Sequence, residues 1–199
     1  MIGVPLAWAV SNASEWWIHK HVLHGRGKHK GSFWSFHWHD HHKNARQNGH
    51  YDPDYRQPVV GWHPQGKEAL GLAGLAAMHL PLLPIAPFYT GTMLYCIARY
   101  YRLHKRAHLD PAWAREHLPW HYDHHMGPDQ DCNWCVTHPW FDQVMGTRVP
   151  YLGTERAARD DARREARRER AEARRAAHAG RHDAETGRDP SSHGAEGAA

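Results

Sequence analysis

Twenty-one of the 199 residues are histidine, as many as Asp and Glu together, and their spacing constrains the fold more than any other feature. His19 and His24 stand five apart, and His104 and His108 four apart. His121, His124 and His125 form an H-x-x-H-H box, while His37, His39, His41 and His42 crowd into His-Trp-His-Asp-His-His. On a helix, residues three or four apart share a face, so two imidazoles at that spacing can reach one cation. An adjoining histidine, turned by about 100°, can serve a second ion beside the first. Neutral imidazole suits Fe, Zn, Cu and Ni. Many nitrogens with few carboxylates nearby differ from the Glu and Glu-x-x-His sites of soluble di-iron bundles.

The polar and apolar residues are segregated along the chain. Residues 2–18 are apolar, with Ser11, Asn12, Ser14 and Glu15 set into them, and they lack the basic start of a signal peptide. Residues 69–101 contain no acid and, His79 aside, one basic residue, Arg99. Pro81, Pro84 and Pro87 interrupt that stretch, which predicts a helical hairpin over about 68–103, with limbs near 68–82 and 86–103. Ten tryptophans fit a membrane–water boundary. The expectation is therefore an all-α integral membrane protein. Short transmembrane helices would carry a cytoplasmic helical cap that holds a di-metal site.

One straight span would leave the histidines before residue 65 and those after 103 on opposite sides of a bilayer, whereas a hairpin returns the chain to its starting side. Lys20, Arg26, Lys28, Lys30, Arg102, Lys105 and Arg106 flank that side and predict that it is cytoplasmic. Residues 1–152 then form the membrane-embedded domain and 153–199 a charged tail, helical to about Ala179 and disordered beyond Gly180. The site and the tail both face the cytoplasm on this reading.

The formal charge of +4 does not signal a nucleic-acid partner, because much of the arginine lies in the tail mixed with Asp and Glu. Cys96, Cys132 and Cys135 are odd in number and give no disulfide framework. His79, alone in the hairpin, is read as a helix-packing group, and Asp142 as a support for a ligand or a turn cap.

These boxes resemble the fatty acid hydroxylase superfamily, which includes sterol desaturases and sphingolipid and fatty acyl hydroxylases, over nearly everything from Trp16 to Thr147. The resembling stretches are His19-Lys-His-Val-Leu-His24, the box ending His41-His42, Leu103-His-Lys-Arg-Ala-His108 and His121-Tyr-Asp-His-His125, with the closing segment Asn133 to Thr147. Cys135 stands where that segment usually has Gly, and bacterial carotenoid hydroxylases share a related box order.

The resemblance implies metal ligands at His19, His24, His41, His42, His104, His108, His121, His124 and His125. The second box departs from the pattern at Trp38. His37, four before His41, and His39, three before His42, both stay open as its first ligand. Asp40, Asp123 and His138 are candidates to orient ligands from behind, and no catalytic side chain is indicated beyond the ligands themselves. The implied cofactor is two Fe, which Zn can replace in purified protein, with O2 as co-substrate. The implied activity is hydroxylation of a fatty acyl, sterol or carotenoid type lipid in a membrane, fed by a separate ferredoxin- or cytochrome-like electron donor. Desaturation at the same site and non-enzymatic metal binding in a membrane are the alternatives. The family often has a further membrane helix before the first box, so the start is expected to be either truncated or minimal.

Overall fold

The computed structural model describes residues 2–186, and within them the secondary structure is helical throughout. The chain divides into two compact units, Met1–Thr154 and Glu155–Ala199.

In the first unit, α1 (Gly3–Trp17) runs on into a π-helical segment, Ile18–Arg26. A second π-helical segment, His37–His42, continues into α2 (Lys43–Gln47). A 3-10 turn at Pro53–Arg56 leads to α3 (Pro64–His79), and α4 (Pro87–Leu109) returns alongside it. Three short helices follow: α5 (Pro111–His117), α6 (Pro119–Met126) and α7 (Trp140–Val144).

Proline sets the helix boundaries. Pro64, Pro87, Pro111 and Pro119 each stand in the first helical positions, where the missing N–H costs nothing. Asp110 caps α5 by accepting from Trp113 N at 3.1 Å. Leu80–Leu82, with Pro81, tightens into a 3-10 turn that ends α3.

α1 packs along α4. Its polar residues anchor the segment after α6: Asn12 bonds His138 O at 2.8 Å and accepts from Phe141 N at 3.0 Å. Glu15 accepts from Val136 N and Thr137 N at 3.0 and 2.9 Å, and Trp16 Nε1 donates to Thr147 Oγ1 at 2.9 Å. Burial pushes the Glu15 carboxyl up to about 7 despite these donors. One apolar cluster joins Trp16, Trp134 and Cys135 with Phe141, and another joins Ala107, Ala114 and Leu118. Between them the interior is filled with histidine.

No helix among the described residues is long and apolar enough to cross a membrane, which overturns the integral-membrane expectation. α3 has 16 residues, about 24 Å of helix against about 30 Å of bilayer hydrocarbon, and prolines stop it there. α4 has 23 residues, but its second half carries Arg99, Arg102, Lys105 and Arg106 together with His104 and His108. Without spanning helices the side-of-membrane reasoning falls as well, and with it the cytoplasmic assignment of site and tail.

The second unit holds α8 (Glu155–Thr186), 32 residues with ion pairs such as Arg159–Glu155 at 3.3 Å. The helix continues through Gly180, and the rest of the expected disordered stretch, 187–199, lies outside the described residues.

Candidate metal centre

Ten buried histidines converge between α4, α6 and the two π-helical segments. The π-helix is what makes the first two boxes work. Five residues turn an α-helix by about 140° past a full turn, which would send His19 and His24 to different faces. In a π-helix the backbone bond runs from residue i+5 to residue i, so residues five apart stand one turn above each other. His19 and His24 are thereby brought to ring centroids 5.1 Å apart, and His37 and His42 to 4.8 Å.

The first cluster is His19, His24, His37, His42 and His124, with one ring nitrogen from each lying within 4.8 Å of the others. The Nε2 atoms of His19 and His37 are 3.0 Å apart, those of His24 and His42 3.1 Å, and His42 Nε2 is 3.2 Å from both His37 and His124. The second cluster is His41, His104, His108 and His125, and His121 adjoins it with its Nε2 3.0 Å from that of His108. Sequence neighbours are split between the two: His42 and His124 serve the first, His41 and His125 the second. The clusters touch where the His42 and His125 rings lie 4.2 Å apart.

Outward-facing acceptors orient the rings. His19 Nδ1 donates to Trp134 O at 2.6 Å and His124 Nδ1 to Cys132 O at 2.6 Å. His24 Nδ1 faces Asp131 Oδ1 at 3.2 Å. At the second cluster, His41 Nδ1 meets Asp52 at 2.8 Å, His104 Nδ1 meets Glu68 at 2.7 Å and His108 Nδ1 meets His50 O at 2.9 Å. Tyr55 OH also donates to Glu68, and the Tyr55 ring stacks on His108. A neutral imidazole carries one N–H. In its neutral form each of these six rings spends it outward at Nδ1, which leaves a bare lone pair on the inward Nε2.

Burial favours the neutral form of most of these histidines. It lowers His19, His37, His42, His108, His121 and His125 well below the usual histidine range, and neighbouring imidazoles add to the effect. His124 falls to about 4, again chiefly by burial. Burial raises the Asp52 carboxyl, but the His41 bond outweighs it and keeps Asp52 below its ordinary value.

The donor set fits metal ions. The Nε2 atoms of the first cluster approach to 3.0–3.2 Å, and those of His19, His24 and His124, whose Nδ1 atoms face acceptors, offer lone pairs that a cation could take up. Metal–nitrogen bonds of about 2.0–2.1 Å place neighbouring nitrogens about 3.0 Å apart at right angles and about 3.4 Å apart in a tetrahedron. The observed 3.0–3.2 Å falls within that range. At the second cluster His41 Nε2, His104 Nε2 and both His125 nitrogens are buried without a hydrogen-bond partner. Each such atom costs about 1–3 kcal/mol unless something satisfies it.

All the histidines expected from the boxes gather here except His39. That residue bonds Lys28 O at 3.1 Å on the outer side and belongs to neither cluster, whereas His37 is 3% exposed and stands in the first. The three groups expected to orient ligands lie elsewhere. Asp40 is exposed, Asp123 pairs with Arg148 at 2.7 Å and accepts from Leu152 N, and the His138 ring lies tilted against Trp140 with centroids 4.0 Å apart. Asp142 holds the loop behind the site by accepting from Trp134 N and Cys135 N, each at 2.8 Å. His79 Nδ1 bonds Leu75 O within its own helix.

The box spacing points to none of Asp52, Glu68, Asp131, Tyr55 and His50. Glu68 had a signal, as the last acid before the acid-free stretch 69–101. His50 is fully buried at φ +81°, stacks on His108 at 4.4 Å, and donates from its ring to Ala107 O at 3.1 Å. A histidine held in the left-handed region needs surroundings that fix it there. With His108 and His121 it forms a third, overlapping group.

A cavity of about 540 Å³ runs from the centre between α1, α3 and α4. His19, His37 and His104 line it together with Glu15 and Glu68, and Ile18, Val22, Leu72, Leu75, Met93 and Ile97 are among its apolar walls. Such a mostly apolar space with a few polar groups suits a hydrocarbon chain.

No protein-family model, no curated protein and no solved structure matches the chain.

Proposed function

We propose that this protein is an O2-dependent oxygenase of a lipid-type hydrocarbon, with two iron ions held by the two histidine clusters. The observation that supports it is the meeting of two adjoining groups of buried imidazoles with the wall of an apolar cavity. At the second cluster His41, His104 and His125 leave buried nitrogens without a protein partner, as a purely structural core would not, and an exposed metal-carrying surface would not need a cavity.

His19, His24, His37, His42 and His124 would hold one ion, and His41, His104, His108, His121 and His125 the other. When bound, the ions supply the activation of O2 towards an unactivated C–H bond. The chain's own residues do the rest. Asp52, Glu68, Asp131 and the loop carbonyls fix which nitrogen of each ring is bare and where it points. The apolar walls exclude water and bring the substrate chain to His19, His37 and His104. The overall change is R–H + O2 + 2 e⁻ + 2 H⁺ → R–OH + H2O, with the electrons from a separate one-electron carrier.

The test is O2-dependent conversion of added fatty acyl, sterol and carotenoid substrates by iron-loaded protein with a reducing system, with His121→Ala as control. Conversion by the wild type alone is expected. Metal-loaded, reducible protein that oxidises none of these lipids would sink the reading.

A further inference from the structure

We propose that electrons enter the metal centre at Trp38, from a one-electron carrier protein docked on the polar face around it. This rests on the reading of the centre as a redox-active metal pair.

The first cluster has two sides. His19 and His37 face the cavity, whereas His24 and His42 form no part of its lining. Trp38 covers that second side. Its ring stacks on His42 at 5.4 Å and 28°, and meets His24 edge-on at 5.0 Å and 74°. One aromatic ring therefore contacts two ligands of the same cluster. Trp38 is only partly buried, so its outer edge reaches solvent. Lys28 Nζ lies over the ring at 4.7 Å and is itself paired with the half-exposed Asp131, which backs His24.

Beside it, Lys30, Ser35, His39, Asp40 and Lys43 line a shallow polar recess. This surface is polar, aromatic at its centre and opposite in character to the cavity wall. Trp134 is the contrasting case, because it touches His19, His24 and His124 yet is buried, 2% exposed, and so offers no path outward.

The arrangement also accounts for the sequence irregularity. Trp38 interrupts the second box, and in the π-helical segment it lies between His37 and His42, next to the rings it bridges. An aliphatic side chain would fill the same space, but only a π-system couples the outer surface to both imidazoles. Substrate and electrons thus reach the centre from opposite sides. Each transfer moves one electron from the reduced carrier to one ion of the centre, with no bond made or broken and no proton moved.

The experiment follows anaerobic reduction of the iron-loaded protein by stopped-flow absorbance, using a reduced [2Fe–2S] ferredoxin and, separately, dithionite. Wild type is compared with Trp38→Phe, Trp38→Leu and the exposed control Trp62→Leu, with the iron content of each measured. Trp62→Leu should reduce at the wild-type rate. Trp38→Phe should be slower with ferredoxin, and Trp38→Leu should lose the fast phase, while both are still fully reduced by dithionite. Ferredoxin reducing Trp38→Leu as fast as wild type would overturn the proposal. So would a Trp38→Leu protein that has lost its iron beside a Trp38→Phe protein of wild-type rate, because the ring would then serve packing alone. Wild-type iron that neither reductant reduces would instead defeat the oxygenase reading itself.

Discussion

His41 donates its Nδ1 proton to Oδ2 of Asp52 across 2.8 Å, with the two side chains 2% and 0% exposed. Asn44 and the Asp54 N–H hold the other carboxylate oxygen at 3.2 and 3.0 Å, so the acceptor cannot swing away. Removing the partner behind a metal-binding histidine typically costs 10–100-fold in metal affinity. Asp52→Ala should therefore weaken binding of one ion by about 10–100-fold and leave the other unchanged. Asp52→Asn, which keeps one acceptor oxygen, should lose less. Chelator competition followed by elemental analysis reads both effects.

The choice within the second box is decided by metal content. His37 is buried with its Nε2 3.0 Å from that of His19, while His39 turns to Lys28 O. His37→Ala should drop the iron content from two ions per chain towards one, and His39→Ala should leave it at two. Equal losses in both variants would contradict the observed placement.

Acid should destabilise the metal-free protein. His124 falls from 6.5 to about 4 and His50 to about 3, and seven further histidines of the centre are also lowered, all chiefly by burial. For each of them the unfolded chain binds the proton more readily, so their contribution is fully present above pH 6.5 and is lost as the pH falls towards 4. Glu15, raised to about 7, acts in the opposite direction, its contribution being full below 4.5 and lost as pH rises through 7. The histidines outnumber it, so urea midpoints should fall steadily from pH 6.5 to 4.5. Bound metal should protect, and its release should itself require protons.

The cavity can be narrowed without disturbing the centre. Gly74 lies on its wall, and a Cβ built there meets nothing within 4 Å. Gly74→Phe should keep both ions and the melting temperature, since Gly is the poorer helix former. Bulky or long substrates should lose about tenfold in kcat/KM, the scale of a modest misfit in an apolar pocket. Unchanged selectivity across a graded substrate series would place the substrate elsewhere.

Much of the site was legible in the sequence, because a ligand is a side-chain identity and ten of the eleven boxed histidines gather in the centre. The hairpin limbs were legible too, because Pro81, Pro84 and Pro87 break a helix wherever they occur. The membrane expectation failed because hydropathy averaged over 69–101 takes no account of how proline and the arginines of α4 shorten each apolar run.

What the sequence determined alone was which residues could bind metal and roughly where helices stop. The tertiary structure decided how they are shared. Whether His19 and His24 meet depends on a π-helical backbone, and that local widening is settled by packing rather than by side-chain pattern. Whether His41 and His42 serve one ion or two depends on what stands behind each ring. Asp52 stands behind His41 and Gln130 behind His42, and the other rings have Glu68, Asp131 and the carbonyls of Trp134, Cys132 and His50. Every residue has a carbonyl, so no composition or spacing marks the three that matter, and only the folded chain brings them to an imidazole.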